Sequence, residues 1–181
     1  MAKVTVATNW MDACAGCHMS LLDIDERILE LIKHVDLMST PITDLKHPPK
    51  EGVDVGILTG AVSDTHQEEV ALEMRERAKI LISMGDCSVF GGICTMRNFF
   101  DKEEVLEYAY CKTASTDSEG KVPRSPELAK LLDQSMALDQ VVKVDIHVPG
   151  CPPSADTIWY VLTELLAGRI PELSGENLNY Q

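Results

Sequence analysis

The sequence predicts an α/β fold: a doubly wound, largely parallel sheet with helices on both faces. Three observations carry that expectation. Short runs rich in Val, Ile and Thr alternate with stretches whose apolar residues recur at helical spacing. Glycine or proline follows most of the apolar runs, as strand-to-loop exits require. The chain has 181 residues, enough for one domain with a real core. Residues 1–173 read as that domain and 174–181 as a loose tail, with no internal repeat.

The elements follow in order. Residues 3–8 (KVTVAT) read as the first strand. The loop NWMDACAGC comes next, and then Ser20 with Asp23 gives an S-x-x-D capping pattern. Leu21, Leu22, Ile28, Leu29, Ile32 and Val35 predict one helix running from the region of Cys17 to Lys33. Residues 35–39 make a short second strand. Pro41, Pro48, Pro49 and Gly52 exclude regular structure up to a third strand at 53–59. Thr65 with Glu68 reads as a capping box for a helix to about residue 78. A fourth strand spans 79–84, after which Gly91 and Gly92 keep the chain irregular to about 98. A short helix is expected over 101–110 and a surface loop over 113–124. Ser125 and Pro126 sit as cap and first residue of a helix carrying Leu128, Leu131 and Leu132. The last strand is expected at 141–148. Ser154 then caps a final helix through Ile158, Trp159, Val161, Leu162, Leu165 and Leu166, stopped by Gly168.

Composition narrows the function classes. The formal net charge of -13 argues against nucleic acid and anionic membrane surfaces as partners, since both call for Lys/Arg patches. No apolar run approaches the ~20 residues that span a bilayer. The first ten residues enter a strand at once and carry neither a signal-peptide core nor a twin arginine. The expected compartment is the cytoplasm. There, six cysteines are more often ligands or redox groups than structural disulfides.

Four of those cysteines organise the reading. Cys14 and Cys17 follow the first strand, Cys87 follows the fourth and Cys151 follows the last. In an open α/β sheet the loops at the carboxyl ends of the strands share one crevice. The four thiolates are therefore expected to meet and hold one metal centre. Soft sulfur ligands suit zinc or an iron–sulfur cluster. Structural zinc usually shows two close C-x2-C pairs, whereas one pair with two distant single cysteines suits a cluster. Gly16, Gly85, Gly91, Gly92 and Gly150 let backbone N–H groups come close to sulfur, and Pro149, Pro152 and Pro153 stiffen the last loop. Alternatives stay open on pattern alone. CAGC could be a thioredoxin-like redox pair, and zinc could stabilise a binding module. Cys94 rivals Cys87, because both lie in one loop. Cys94 and Cys111 otherwise read as small buried hydrophobes, and Met84 and Met96 as core. His18 and His147 read as hydrogen-bonded neighbours of the ligand loops. The run Glu68, Glu69, Glu73 reads as a solvated helix face.

CAGCHMS near the N-terminus, GDCSVFGGI in the middle and VPGCPP late in the chain together resemble the small subunits of NiFe hydrogenases. The ordered set spans residues 3–166. The resemblance implies a flavodoxin-like domain holding a 4Fe-4S cluster proximal to the NiFe site of a separate large subunit. It places ligand roles on Cys14, Cys17, Cys87 and Cys151, and so favours Cys87 over Cys94. Many relatives carry a second domain with two more clusters, and this chain lacks the cysteines for them. It is most similar to the short subunit of the soluble, bidirectional NAD-reducing hydrogenases. The implied role is electron relay between the NiFe-bearing large subunit and iron–sulfur and flavin diaphorase subunits that reduce NAD. A related subunit of another cytoplasmic NiFe hydrogenase, or of a complex I-like quinone oxidoreductase, is the neighbouring alternative. The complex I relative characteristically uses adjacent cysteines, unlike Cys14-Ala15-Gly16-Cys17. The family leaves room for an FMN near this subunit. The first loop, however, is not a recognisable phosphate cradle, and no flavin is assigned to it.

Overall fold

Five parallel strands form the spine of the computed structural model, which describes residues 3–117 and 119–178. They are β1 (Val4–Trp10), β2 (Val35–Ser39), β3 (Val53–Thr59), β5 (Ala78–Met84) and β7 (Ile146–Val148). Their order is β2-β1-β3-β5-β7, and every adjacent pair is parallel. Counted within the sheet alone this is 2-1-3-4-5, the flavodoxin-like arrangement. Chain direction across the sheet reverses at β1.

The pleat explains the two apolar cores. Val6 of β1, Val55 and Ile57 of β3 and Ile82 of β5 point to one face, where Ile158, Val161 and Leu162 meet them. Ala7, Leu58 and Leu81 point to the other, against Val70, Ala71 and Met74. The first face is covered by α1 (Gly16–Leu22), α2 (Ile28–His34) and α6 (Ala155–Leu166), the second by α3 (Thr65–Arg77). Strands buried on both faces read as continuous apolar runs, as β3 and β5 do.

Several local expectations are corrected. The single helix from Cys17 to Lys33 is two helices joined by a 3-10 turn at Asp25–Arg27. Asp25 sits at φ +58, and Ile24 is driven into the core at 1% exposure. Ser20 caps nothing. It lies inside α1, buried, and donates its hydroxyl to the Pro153 carbonyl at 2.5 Å. The capping box of α3 belongs to Asp64 and Gln67, one residue before the Thr65/Glu68 pair. The Asp64 carboxylate accepts from the Gln67 N–H at 2.8 Å, and the Gln67 side-chain oxygen accepts from the Asp64 N–H at 3.2 Å.

No helix forms after Pro126. That stretch leads into β6 (Leu131–Met136), which pairs antiparallel with β4 (Val62–Asp64) as a separate two-stranded sheet. The final strand of the main sheet is three residues long, because Val141 and Val142 close a 3-10 turn on Leu138 instead. Short helices α4 (Asp86–Phe90) and α5 (Lys102–Glu107) flank a 3-10 helix at Gly92–Phe99, where a loop was expected. Met96, expected in the core, is 59% exposed, whereas Met84 is buried. The final helix is capped as expected: Ser154 accepts from the Thr157 N–H at 3.1 Å, and Gly168 adopts φ +73 just past its end. Of the expected tail, 175–178 form a 3-10 turn, and 179–181 lie outside the described residues. No described helix is long and apolar enough to cross a membrane.

Candidate metal centre

The strands end level with one another. Trp10 pairs with Thr59, Thr59 with Met84 and Met84 with Val148, so the loops after β1, β5 and β7 leave from one line. The loop after β1 lies where chain direction reverses, the usual place for a site in this architecture.

Each loop then takes a shape that its sequence permits. After β1 the chain is bolted to the β3–β4 connection. The Asp12 N–H donates to the Ala61 carbonyl at 3.0 Å, and the Ala61 N–H donates to the Asp12 carbonyl at 2.9 Å. Ala15 turns through φ +66, and the Gly16 N–H points at the Cys14 sulfur, 3.4 Å away. Cys17 follows in the first turn of α1. After β5, Gly85 takes φ +88 with ψ 154, a region open essentially to glycine alone. Cys87 then lies in α4. The loop after β7 is stitched directly to this one. The Gly85 N–H donates to the Val148 carbonyl at 2.8 Å, the Asp86 N–H to the Gly150 carbonyl at 2.9 Å and the Gly150 N–H to the Asp86 carboxylate at 2.7 Å. The Ser20–Pro153 bond ties the Cys151 loop to α1 as well.

Cys14, Cys17, Cys87 and Cys151 are thereby brought together at the carboxyl edge. The burial of the Cys17 thiol pushes its pKa up to about 12, and nearby Cys87, Cys14, Cys151 and Asp86 add to the rise. Cys151 is raised as well, by partial burial, then by Cys87, Asp86 and Cys14. Thiols crowded in this way resist becoming anions until cations are supplied, the situation a polynuclear iron centre reverses. Glycines let the backbone close tightly on three of the sulfurs. A Cβ on Gly85 would fall on the Cys17 sulfur, one on Gly92 would stand 3.1 Å from the Cys87 sulfur, and one on Gly16 would stand 3.2 Å from that of Cys14. Cys14 and Cys151 are exposed, Cys17 and Cys87 half-buried. Among the described residues, no three His, Cys, Asp or Glu side chains are disposed to hold a single ion.

The two histidines differ. His18 is 1% exposed, with its ring nitrogens 3.2 and 3.3 Å from the Thr8 and Thr59 hydroxyls and its edge against Trp10. Burial lowers its pKa to about 4, and both nitrogens are occupied, so it is a packed neighbour rather than a ligand. His147 is exposed, on a strand face shared with neither Ile146 nor Val148, and lies 3.7 Å from Asp139. Cys94 is half-buried, and its S–H donates to the Asp12 carbonyl at 3.1 Å. Burial, with Asp12 and Cys87 close by, pushes that thiol up to about 12. Cys111 lies on the turn after α5, half-buried. Three residues at the site have roles that the sequence does not announce: Asp86, which holds the Gly150 N–H, Ser20, which has a cap's composition, and Asp12, whose carbonyl takes two donors. Only Asp86 carries a signal, its place beside a cysteine at a strand end.

Comparison with known proteins agrees with this geometry. The family model described as NADH ubiquinone oxidoreductase, 20 Kd subunit, matches residues 14–165. The NAD-reducing hydrogenase HoxS subunit delta of Cupriavidus necator is 39% identical over 169 residues, 92% of this chain and 80% of that one. A subunit of the F420-non-reducing hydrogenase of Methanothermobacter marburgensis is 38% identical over 97% of this chain. This chain spans only 58% of the length of that relative. A solved structure of an NAD+-reducing NiFe hydrogenase in the H2-reduced state contains a chain that superposes with a TM-score of 0.95 at 36% identity, covering 99% of this chain and 100% of that one. A NiFeSe hydrogenase of Desulfovibrio vulgaris Hildenborough shares the fold alone, with a TM-score of 0.58 at 16% identity, over 92% of this chain and 60% of that one. The chain belongs to the NADH ubiquinone oxidoreductase 20 Kd subunit family, alongside subunits of NiFe hydrogenases.

Proposed function

We propose that this chain is a cytoplasmic electron-relay subunit holding one 4Fe-4S cluster on Cys14, Cys17, Cys87 and Cys151. In this reading it stands between the NiFe site of a large subunit and a flavin- and cluster-bearing diaphorase module that reduces NAD. The observation that carries the reading is the convergence of these thiols, with glycines backed against three of them. When bound, such a cluster accepts and gives up one electron at a time.

The chain's own residues do the rest. Asp86 locks the Cys87 and Cys151 loops together, so two ligands share one brace. Gly85 lets the Cys17 sulfur, and Gly92 the Cys87 backbone, pack where a side chain would stand. The exposure of Cys14 and Cys151 leaves the centre at the surface, open to a partner's redox centre. Phe90, Ile93, Met96 and Phe99, all at least 59% exposed, follow Cys87 at intervals of three. The last three lie in a 3-10 helix, where residues three apart stand in one row. That apolar row favours burial of this face against the large subunit. No FMN is included, since the first loop offers no phosphate cradle.

A thioredoxin-like pair at Cys14 and Cys17 is disfavoured. Such a pair needs two sulfurs only, and it gives no role to Cys87 and Cys151, which lie beside Cys17. Anaerobic purification of the assembled complex with iron and sulfide analysis tests the proposal. Cys87→Ser should lower the content by about four of each per copy of this chain, the complement of a cube-shaped cluster. An iron content unchanged by that substitution, or zinc bound to this chain in its place, would overturn the reading.

A further inference from the structure

Cys94 is the thiol left over once four ligands are assigned, and its surroundings are specific. It lies in the 3-10 helix that Gly91 and Gly92 turn back toward Cys87, and Gly92 packs directly on the Cys87 backbone. Its partner is not in its own loop. The S–H donates to the Asp12 carbonyl, in the loop that carries Cys14 two residues later. That carbonyl also accepts from the Ala61 N–H at 2.9 Å, so both of its lone pairs are engaged.

The Asp12 side chain is held from the same direction. Its carboxylate accepts from the Ser63 hydroxyl at 2.5 Å. Ser63 lies 2.8 Å from the Ser135 hydroxyl, which accepts from the Arg97 Nε–H at 3.2 Å. Arg97 belongs to the same 3-10 helix as Cys94. One short helix therefore grips the first ligand loop twice, directly through Cys94 and through two buried serines from Arg97.

We propose that Cys94 is a positioning residue: by donating to the Asp12 carbonyl it locks the loop of Cys14 to the loop of Cys87 and fixes their spacing around the centre. It contributes no sulfur to the cluster. Without the thiol donor one lone pair of the Asp12 carbonyl is left uncompensated beside the Cys14 loop, which adds negative potential there and makes reduction of an anionic centre harder. This inference rests on the cluster reading above.

The test uses the assembled, anaerobically purified complex with Cys94→Ala, Cys94→Val and Cys94→Ser. Alanine and valine remove the donor, valine at nearly constant volume, and serine keeps it. Iron and sulfide content, the electron paramagnetic resonance spectrum of the reduced cluster and its midpoint potential are measured. All three variants should retain the parental iron and sulfide. Alanine and valine should shift the potential to more negative values and alter the spectrum, and serine should restore both toward the parent. If alanine fails to fold, valine and serine make the same comparison. An unchanged potential and spectrum without the donor would overturn the inference. So would a serine variant as displaced as valine, which would assign the effect to packing, or loss of iron in the serine variant, which would make Cys94 a ligand. A complex whose iron and sulfide do not fall in Cys87→Ser would instead sink the cluster reading itself.

Discussion

The two ends of the central sheet are built from the same strands and solve opposite problems. At the amino end, charges are paired within the scaffold. The Asp54 carboxylate accepts from the Thr5 N–H and hydroxyl, each at 2.9 Å, and from Lys79 at 2.7 Å, joining β1, β3 and β5. Beside it an apolar hollow of about 260 Å³ is lined by Val4, Val6, Val55, Ile80, Leu162 and Leu165. At the carboxyl end the thiols crowd without cationic partners, and glycines stand where side chains would pack. One end holds the fold to itself. The other gathers four thiols that no cation of the chain offsets.

That contrast can be broken by substitution. The largest effect is expected at Gly85. Alanine there would occupy a glycine-only backbone region, costing about 1–3 kcal/mol, and would put a methyl on the Cys17 sulfur. Denaturant unfolding of the cluster-free chain should show the stability loss, and iron content of the complex should fall. Gly168→Ala sharpens the comparison. Gly168 also has positive φ, at +73, but nothing stands within 4 Å of its Cβ position, so iron content should not change.

At the amino end, Asp54→Asn should lower stability without touching iron. The partners of Asp54, Lys79 first and then Thr5, depress its carboxyl from 3.8 to about 2. On acidification the unfolded chain takes up this proton first. The contribution is therefore full above the ordinary value of 3.8 and lost as pH falls toward 2. Solvent reaches this carboxylate, so the contribution is about 1 kcal/mol rather than the full shift. Unfolding curves of parent and variant should converge toward pH 2. Lys79→Ala should have the smallest effect, below about 0.5 kcal/mol, because its ammonium is largely solvated.

The difference between the two ends also explains what the sequence disclosed. β2 and β3 are placed to the residue, and β1 and β5 within two; β3 and β5, largely buried on both faces, write their own apolar runs. The edge occupied by Cys14, Cys17, Cys87 and Cys151 follows from strand order, which alternating elements already imply. What failed depends on contacts distant in sequence. Leu131 and Leu132 have helical spacing, yet pairing with β4 draws them into a strand, and tertiary pairing overrides a weak local preference. Ser20 has a cap's composition but is claimed by Pro153. The Asp12–Cys94 tie was invisible, since no spacing rule relates a carbonyl to a thiol in another loop.

The brevity of β7 bears on biogenesis. Its ladder to β5 is three register pairs, Ile82–Ile146, Ser83–His147 and Met84–Val148, and it delivers Cys151. Cys14 precedes Cys151 in the order of synthesis, so the four sulfurs are assembled only once β7 has docked beside β5, and a chain in which that three-pair ladder has not closed presents an incomplete set.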